Sequence, residues 1–143
     1  MKKLITAFIL IAVLATPNLL SAALTGFSGC KMIDSTENIW MCKATGAAAM
    51  EKTLAPAGVW ELMDVRVTLN AAGTSDTFTA TIDSKLGAGY DILLISQDFT
   101  TVTDYREIFE PDEARFQNGD EFDFQWTNTN TKTWGLEVYY KLH

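Results

Sequence analysis

Histidine is almost absent from this chain of 143 residues. The single one, His143, is the terminal residue, which excludes a Ser-His-Asp triad, a Cys-His pair and a multi-histidine zinc site in any ordinary form. The sequence also lacks a glycine-rich phosphate loop followed by a helix, and it lacks a serine elbow. It therefore predicts a protein that is not an enzyme and that needs no metal and no cofactor.

Basic residues are scarce relative to acidic ones. The chain has 11 Lys and Arg against 18 Asp and Glu, a net charge of -7. Nucleic acids require Lys and Arg to neutralise their phosphates, and anionic lipid headgroups attract basic segments, so neither partner is expected. With 48% hydrophobic residues, the chain can bury the core of one domain.

No apolar run is long enough to be an obvious membrane span. Residues 1–3 are basic, and the apolar residues 4–15 fall well short of the roughly 20 that a helix needs to cross a bilayer. Residues 16–18 break this run, and the small residues 21–23 suit a signal peptidase. The sequence predicts a cleaved secretory signal over residues 1–23 and an exported protein with no membrane span after cleavage; an uncleaved anchor is the alternative.

The chain contains two cysteines, Cys30 and Cys42. An even pair in an exported protein suggests a disulfide, which would stabilise the fold by roughly 3 kcal/mol. Residues 27–30 also resemble the lipobox of bacterial lipoproteins, in which Cys30 would carry a lipid anchor. Because a lipid on Cys30 would leave Cys42 unpaired, the disulfide is the preferred interpretation and the lipid anchor is the alternative.

Large apolar residues alternate with polar ones near the end of the chain. Phe122, Phe124 and Trp126 alternate in this way, residues 127–133 are polar, and the alternation then resumes from Trp134 to Leu142. Side chains of a strand point to opposite faces with a period of two, so each half has one apolar face. The pattern predicts an antiparallel hairpin, which needs the rest of the chain to cover that face.

A change of phase occurs between residues 60 and 69. Trp60 and Leu62 share one face, whereas the apolar residues from Val65 onward follow the opposite phase. A slip of this kind, at Met63 and Asp64, predicts a β-bulge within one strand; the alternative is that two strands meet there.

Three other segments have strand or turn signals. Residues 90–96 are almost continuously apolar, which predicts a central strand with both faces covered. Residues 118–119, Asn-Gly, favour a type I′ hairpin turn. Residues 44–55 have some helix propensity, but the alternation from Met50 to Leu54 favours a strand.

Seven to nine short strands with regular turn signals, and no convincing amphipathic helix after the signal, predict an all-β protein. The expected fold is a single antiparallel β-sandwich with jelly-roll or immunoglobulin-like wiring. Residues 24–56 form an N-terminal extension with the cysteine pair and possible first strands, and residues 57–143 form the sandwich. The expected core residues are Trp60, Leu62, Val67, Phe78, Ile82, Ile92, Leu94, Phe122, Phe124, Trp126, Leu136, Val138 and Tyr140.

Four stretches resemble a β-sandwich module found in structural proteins of tailed bacteriophages, among them head- and tail-associated proteins. They are residues 59–69, 89–98, 118–120 and 126–136, and the resemblance covers about residues 59–142. It implies a non-enzymatic role in building or decorating a particle, as an oligomer. Fold analogy alone does not establish such a role.

Several side chains lie outside the expected core and could form an interaction surface: Trp40, Glu121, Asp123, Asn128, Asn130 and Tyr139. The first hypothesis is a non-catalytic exported structural or surface-interaction protein that binds other subunits, as a homo-oligomer. The alternative is a secreted module that binds carbohydrate or another ligand through these aromatic or loop residues. Glu121 and Asp123 could also form the carboxylate pair of a hydrolase, but their alternation with core aromatics favours solvated acids.

Overall fold

The structure is a computed structural model that describes residues 23–74 and 76–143. The predicted signal sequence therefore lies outside the described residues, except for Ala23. The described part forms a short 3₁₀ turn, Ala88–Tyr90, and eleven strands: β1 (Ala23–Thr25), β2 (Gly29–Asp34), β3 (Ile39–Gly46), β4 (Met50–Ala55), β5 (Trp60–Leu69), β6 (Thr77–Asp83), β7 (Ile92–Asp98), β8 (Asp104–Ile108), β9 (Arg115–Phe116), β10 (Glu121–Trp126) and β11 (Trp134–Leu142).

The strands form two antiparallel sheets, which confirms the predicted β-sandwich. The five-stranded sheet has the order β1-β4-β10-β6-β7, and the six-stranded sheet has the order β2-β3-β11-β5-β8, with β9 also paired to β5. Without β1, β2 and β9, the sheets are β3-β11-β5-β8 and β4-β10-β6-β7, which is the eight-stranded arrangement of a jelly roll. Strands β2 to β4 and all of β1 except Ala23 lie within residues 24–56, so the segment predicted to be an extension contributes strands to both sheets.

The predicted hairpin at the end of the chain is wrong, although both of its strands exist. Strand β10 pairs with β4 and β6, whereas β11 pairs with β3 and β5 in the other sheet. Residues 127–133 therefore cross from one sheet to the other. Both strands direct their apolar side chains into the same core, and alternation by itself does not distinguish strands that pair from strands that face each other.

The predicted bulge in β5 is confirmed. Asp64 lies opposite Tyr139 and Leu62 lies opposite Tyr140, so Met63 is the extra residue on β5. The bulge reverses the phase of the strand, and the apolar residues on both sides of it are consequently buried. Strand β5 is therefore continuous, and the alternative of two separate strands is wrong.

The prediction that residues 90–96 form a covered central strand is wrong. Strand β7 is an edge strand of the five-stranded sheet, and Ile92 and Leu93 are more than half exposed. Ile92 was also expected in the core. In this jelly roll β7 is the last strand of one sheet and β8 is the last strand of the other. Among the described residues, strand β7 therefore has a neighbouring strand on one side only.

The predicted type I′ hairpin turn at Asn118-Gly119 is also wrong. Of these two residues only Gly119 has a positive φ, of 95°, whereas a type I′ turn requires positive φ at both central positions. Strand β9 before the turn pairs with β5 and not with β10. The carboxamide oxygen of Asn118 instead accepts a hydrogen bond of 3.0 Å from the backbone N–H of Gly58.

The core lies between the two sheets and is rich in aromatic rings. Phe78 stacks on Phe99 with ring centroids 5.4 Å apart, and Phe122 meets Phe124 edge to face at 4.7 Å. Burial of each large apolar side chain contributes about 1.5–3 kcal/mol. The fully buried large side chains are Trp60, Phe78, Phe99, Phe122, Phe124, Met50, Leu54, Leu62, Ile95, Leu136, Val65 and Val67.

The predicted disulfide between Cys30 and Cys42 is present. The two residues lie directly opposite each other in the β2–β3 ladder, and Cys42 is fully buried. A lipid on Cys30 would need the sulfur that the disulfide uses, so the structure supports the disulfide over the lipid anchor. No helix in the described part of the chain has the length and apolar character to cross a bilayer.

Removing the disulfide should destabilise the sandwich. We expect the double variant Cys30→Ala/Cys42→Ala to lose about 2–4 kcal/mol of unfolding free energy, because the cross-link restricts the unfolded chain. Denaturant titration measures this loss, and the reduced wild type serves as the control because it should lose a similar amount. Equal midpoints for oxidised and reduced wild type would contradict the expectation.

Candidate functional site

The outer face of the six-stranded sheet carries a network of ion pairs, here called the charged face: Lys43, Asp64, Arg66, Arg106, Glu137 and Tyr139. The ladders place these residues in adjacent rows, with Glu137 between Lys43 and Arg66, and Tyr139 opposite Asp64. Arg106 on β8 continues the row beyond Arg66. Four of the six residues come from β5 and β11. Side chains alternate between the two faces of these strands, so the residues between these four point into the core.

Asp64 is the centre of this network. Its carboxylate accepts hydrogen bonds from Nη2 of Arg66 at 2.6 Å and from Nη2 of Arg106 at 2.8 Å. Burial by itself raises the pKa of Asp64, but the hydrogen bonds from Arg106 and Arg66 outweigh it and hold the pKa below its ordinary value. A carboxylate held ionised between two guanidinium groups is suited to fixing the geometry of the sheet and not to donating a proton.

Glu137 and Tyr139 continue the network along β11. Lys43 forms an ion pair with Glu137, and the hydroxyl of Tyr139 donates a hydrogen bond of 3.1 Å to the same carboxylate. The hydrogen bond from Lys43 is the main reason that the pKa of Glu137 is lowered. The guanidinium of Arg66 lies 4.8 Å from the centroid of the Tyr139 ring. Tyr139 is therefore engaged at its hydroxyl and over one ring face.

A shallow depression of about 470 Å³ lies beside these ion pairs. Its floor is Gly135 on β11, which lies opposite Thr45 on β3 and Thr68 on β5. Lys43 and Arg66 are also among its lining residues.

The outer face of the five-stranded sheet, here called the acidic face, has a different character. Its outward acids are Glu51, Asp83, Asp98, Glu121 and Asp123, and the outward positions of β4, β6, β7 and β10 carry no Lys or Arg. Glu121 and Asp123 therefore point away from the core, as their alternation predicts. Asp123 accepts a hydrogen bond of 2.6 Å from the hydroxyl of Thr53. Within the described residues, no cluster of three or more His, Cys, Asp or Glu could hold a metal ion.

The structure does not bring the six predicted surface residues together. Glu121 and Asp123 lie on the acidic face, whereas Tyr139 lies on the opposite side of the sandwich. Trp40 on β3 is partly buried against the core, and its indole N–H donates a hydrogen bond of 3.1 Å to the side chain of Asn38. Because β10 and β11 belong to different sheets, their outward residues cannot form one surface.

The expectation that Asn128 is free to bind a ligand is wrong, since it is only 3% exposed. Its Nδ2 amide lies within 3.0 Å of the carbonyl oxygens of Ala47, Ala48 and Lys132, and its Oδ1 accepts a hydrogen bond from the N–H of Lys132. Asn128 thus holds the loop that crosses between the sheets. Asn130 is exposed, as expected, and its amide donates a hydrogen bond to Thr74.

The most conspicuous apolar surface was missed by the sequence interpretation. Leu86, Tyr90, Ile92 and Leu93, here called the edge patch, are 54–68% exposed and lie within eight residues of one another. Strand β7 has no partner on its outer side among the described residues, and residues 92–97 contain no charge or proline to protect this edge. The sequence held no signal for it, because a run of apolar residues looks the same in a covered strand and in an exposed edge strand.

Comparisons of the chain with protein-family models, with curated proteins and with solved structures found no match. The geometry of the described surfaces therefore carries the functional argument.

Asn128 should contribute more to stability than its position in a polar loop suggests. We expect Asn128→Gly to cost about 2 kcal/mol more than Asn130→Gly, because it leaves buried carbonyl and N–H groups without a partner. Glycine adopts the positive φ of Asn128 freely, so the difference reports the carboxamide. Thermal and denaturant unfolding provide the measurement, and equal losses in the two variants would refute the role of Asn128.

Asp64 should make stability depend on acid pH. Its pKa is lower in the folded than in the unfolded state, so its contribution is complete above about pH 4 and is lost as the pH falls through the folded pKa. At pH 7 we expect Asp64→Asn to cost about 1–2 kcal/mol, and the variant should lose less stability on acidification than the wild type.

The matched control is Asp112→Asn, which removes a highly exposed carboxylate paired with Arg115. This change should cost less than about 0.5 kcal/mol. Unfolding titrations between pH 7 and pH 3 test both variants. An Asp64→Asn curve parallel to that of the wild type would show that the two arginines do not perturb this carboxylate.

Proposed function

We propose that the protein is a non-catalytic, exported structural protein that assembles with other subunits through the edge patch. The exposed patch on β7 and its preceding loop is the observation that carries this proposal. Soluble monomers rarely leave several large apolar side chains exposed together at an unprotected strand edge, because such edges mark interaction sites or promote aggregation.

The subunit that best fits this edge is a second copy of the chain. A strand edge is complementary to itself in antiparallel orientation, and a two-fold axis near Ile92 and Leu93, at the start of β7, would bring these apolar residues of both copies together. The patch offers on the order of 500 Å² of apolar surface per copy. Main-chain hydrogen bonds between the two β7 strands would extend the contact towards the roughly 800 Å² per partner of a standard interface.

The charge of the protein bears on this assembly. Without Lys2 and Lys3, 9 of the 11 basic residues remain against 18 acidic residues, a net charge of -9. Two copies therefore repel each other at low salt, and salt should strengthen an association driven by apolar contacts.

The charged groups support a role without catalysis. The pKa values of Asp64 and Glu137 are lowered by their cationic neighbours, whereas a general acid requires a raised pKa. The disulfide and the predicted signal support export. A place on a particle, which the resemblance to phage structural modules implies, is part of this proposal.

The carbohydrate-binding alternative loses support from three of the four residues first suggested for it. Trp40 is partly buried against the core, one face of Tyr139 lies under Arg66, and Asn128 is buried in the crossing loop. Asn130 remains exposed, but it has no aromatic ring on which a sugar could stack. Subunit assembly therefore remains the better-supported function.

The proposal predicts that the purified exported protein is a dimer, and that Leu93→Lys makes it monomeric. The new charge would be buried without a partner at the centre of the contact. Light scattering coupled to size exclusion measures the mass, and circular dichroism checks that the variant remains folded.

The matched control is Ile108→Lys, which alters a residue of similar exposure, 57%, on the outer face of β8. It should leave the dimer intact. A monomeric wild type at about 100 μM protein, in low salt and in high salt, would overturn the assembly proposal. Equal disruption by both variants would show that β7 is not the contact.

A further inference from the structure

The depression on the charged face is built around a glycine near the start of the long strand β11. Gly135 lies between Thr45 and Thr68 in one row of the sheet, and Glu137 lies between Lys43 and Arg66 in the next row. The volume of about 470 Å³ falls within the range of small-molecule sites.

The backbone conformation does not require glycine at this position, since Gly135 does not have a positive φ. A Cβ atom there would lie 3.0 Å from Oγ1 of Thr68, so a side chain would fill the depression and displace the threonine. Glycine within a strand often marks a place where a ligand approaches the backbone closely. The missing side chain at Gly135 is therefore explained if its peptide is the floor of a binding site.

The groups around this floor offer both hydrogen-bond donors and acceptors. Lys43 and Arg66 are donors with partly exposed side chains, Glu137 is an acceptor, and the hydroxyls of Thr45 and Thr68 serve as either. This combination suits vicinal hydroxyl groups, each of which both donates and accepts.

The local charges favour a neutral ligand over an anion. Lys43 is paired with Glu137, and Arg66 is paired with Asp64, so the cations beside the depression are already compensated. A phosphate would have to compete with these carboxylates and would also meet a chain of negative net charge.

We infer that this depression binds a neutral carbohydrate, with one or two sugar units over Gly135 and their hydroxyls bonded to Thr45, Thr68 and Glu137. This site is distinct from the edge patch and does not depend on assembly. The depression is shallow, none of its lining residues is aromatic, and one face of the Tyr139 ring on the same sheet is covered by Arg66. The affinity per unit is consequently weak, with a Kd on the order of 1 mM.

A site-resolved titration tests this inference. The labelled protein is titrated with glucose, galactose, mannose, N-acetylglucosamine and their short oligomers while amide shifts are followed by NMR. At least one of these sugars should shift the amides of residues 43–45, 66–68 and 135–137 without moving those of the acidic face. Inorganic phosphate, the anionic probe, should leave the same amides unchanged.

Two variants of the site and one matched control complete the test. Thr68→Val keeps the shape of the side chain and removes its hydroxyl, so we expect sugar binding to weaken about 5–10-fold. Gly135→Leu should abolish binding by filling the depression. Thr79→Val makes the same change as Thr68→Val at an outward position of the acidic face, and it should bind like the wild type. If Gly135→Leu does not fold, the sugar affinity of Thr68→Val alone decides whether the depression is the binding site.

The inference is overturned if no sugar in the panel shifts these amides at about 50 mM, if phosphate shifts them, or if Thr68→Val binds as tightly as the wild type. The monomeric Leu93→Lys variant should retain sugar binding. This outcome separates the two proposals, because a protein that never dimerises can still bind the sugar, and a dimer can fail to bind it.

Discussion

The crossing of residues 127–133 from one sheet to the other is the constraint on which the rest of the structure depends. Strands β10 and β11 contribute a large share of the buried aromatic surface, and each must lie at the centre of its own sheet for the two apolar faces to meet. A polar loop can make this passage only if its buried backbone groups are satisfied. Asn128 meets the carbonyl groups of residues 47, 48 and 132, and Asp76 accepts hydrogen bonds from Thr129.

The same crossing separates the two outer surfaces of the molecule. Outward residues of β10 join an acidic face, whereas those of β11 join a charged face in which each carboxylate has a cationic partner. The two faces are therefore suited to different chemistry. The acidic face carries carboxylates with no Lys or Arg at the outward positions of β4, β6, β7 and β10, and the charged face offers fixed donors and acceptors around Gly135. The apolar edge strand between them is the part that suits contact with a subunit.

A jelly roll by itself implies neither of the proposed roles, because this architecture carries many unrelated functions. The proposed assembly depends on four exposed apolar residues at one edge, and the proposed sugar binding depends on the missing side chain at Gly135. An isolated sandwich would be stabilised by a covered or charged edge and by a β-branched residue in the strand. Each proposal thus rests on a local departure from one of these features: the open apolar edge of β7, and the glycine at position 135. Such departures are expected where function competes with stability.

The sequence by itself determined the fold class, most of the core, the bulge at Met63 and the cysteine pair, since alternation, phase and cysteine count are local properties of the chain. Only the tertiary structure decided which strands pair, because inward-facing residues look the same in a hairpin and in two opposed sheets. For this reason residues 90–96 were interpreted as a covered strand, and Asn128 as a side chain free to bind a partner. An apolar strand is exposed where a sheet ends, and a polar loop is buried where the chain crosses between sheets. Both positions are set by residues that are distant in sequence.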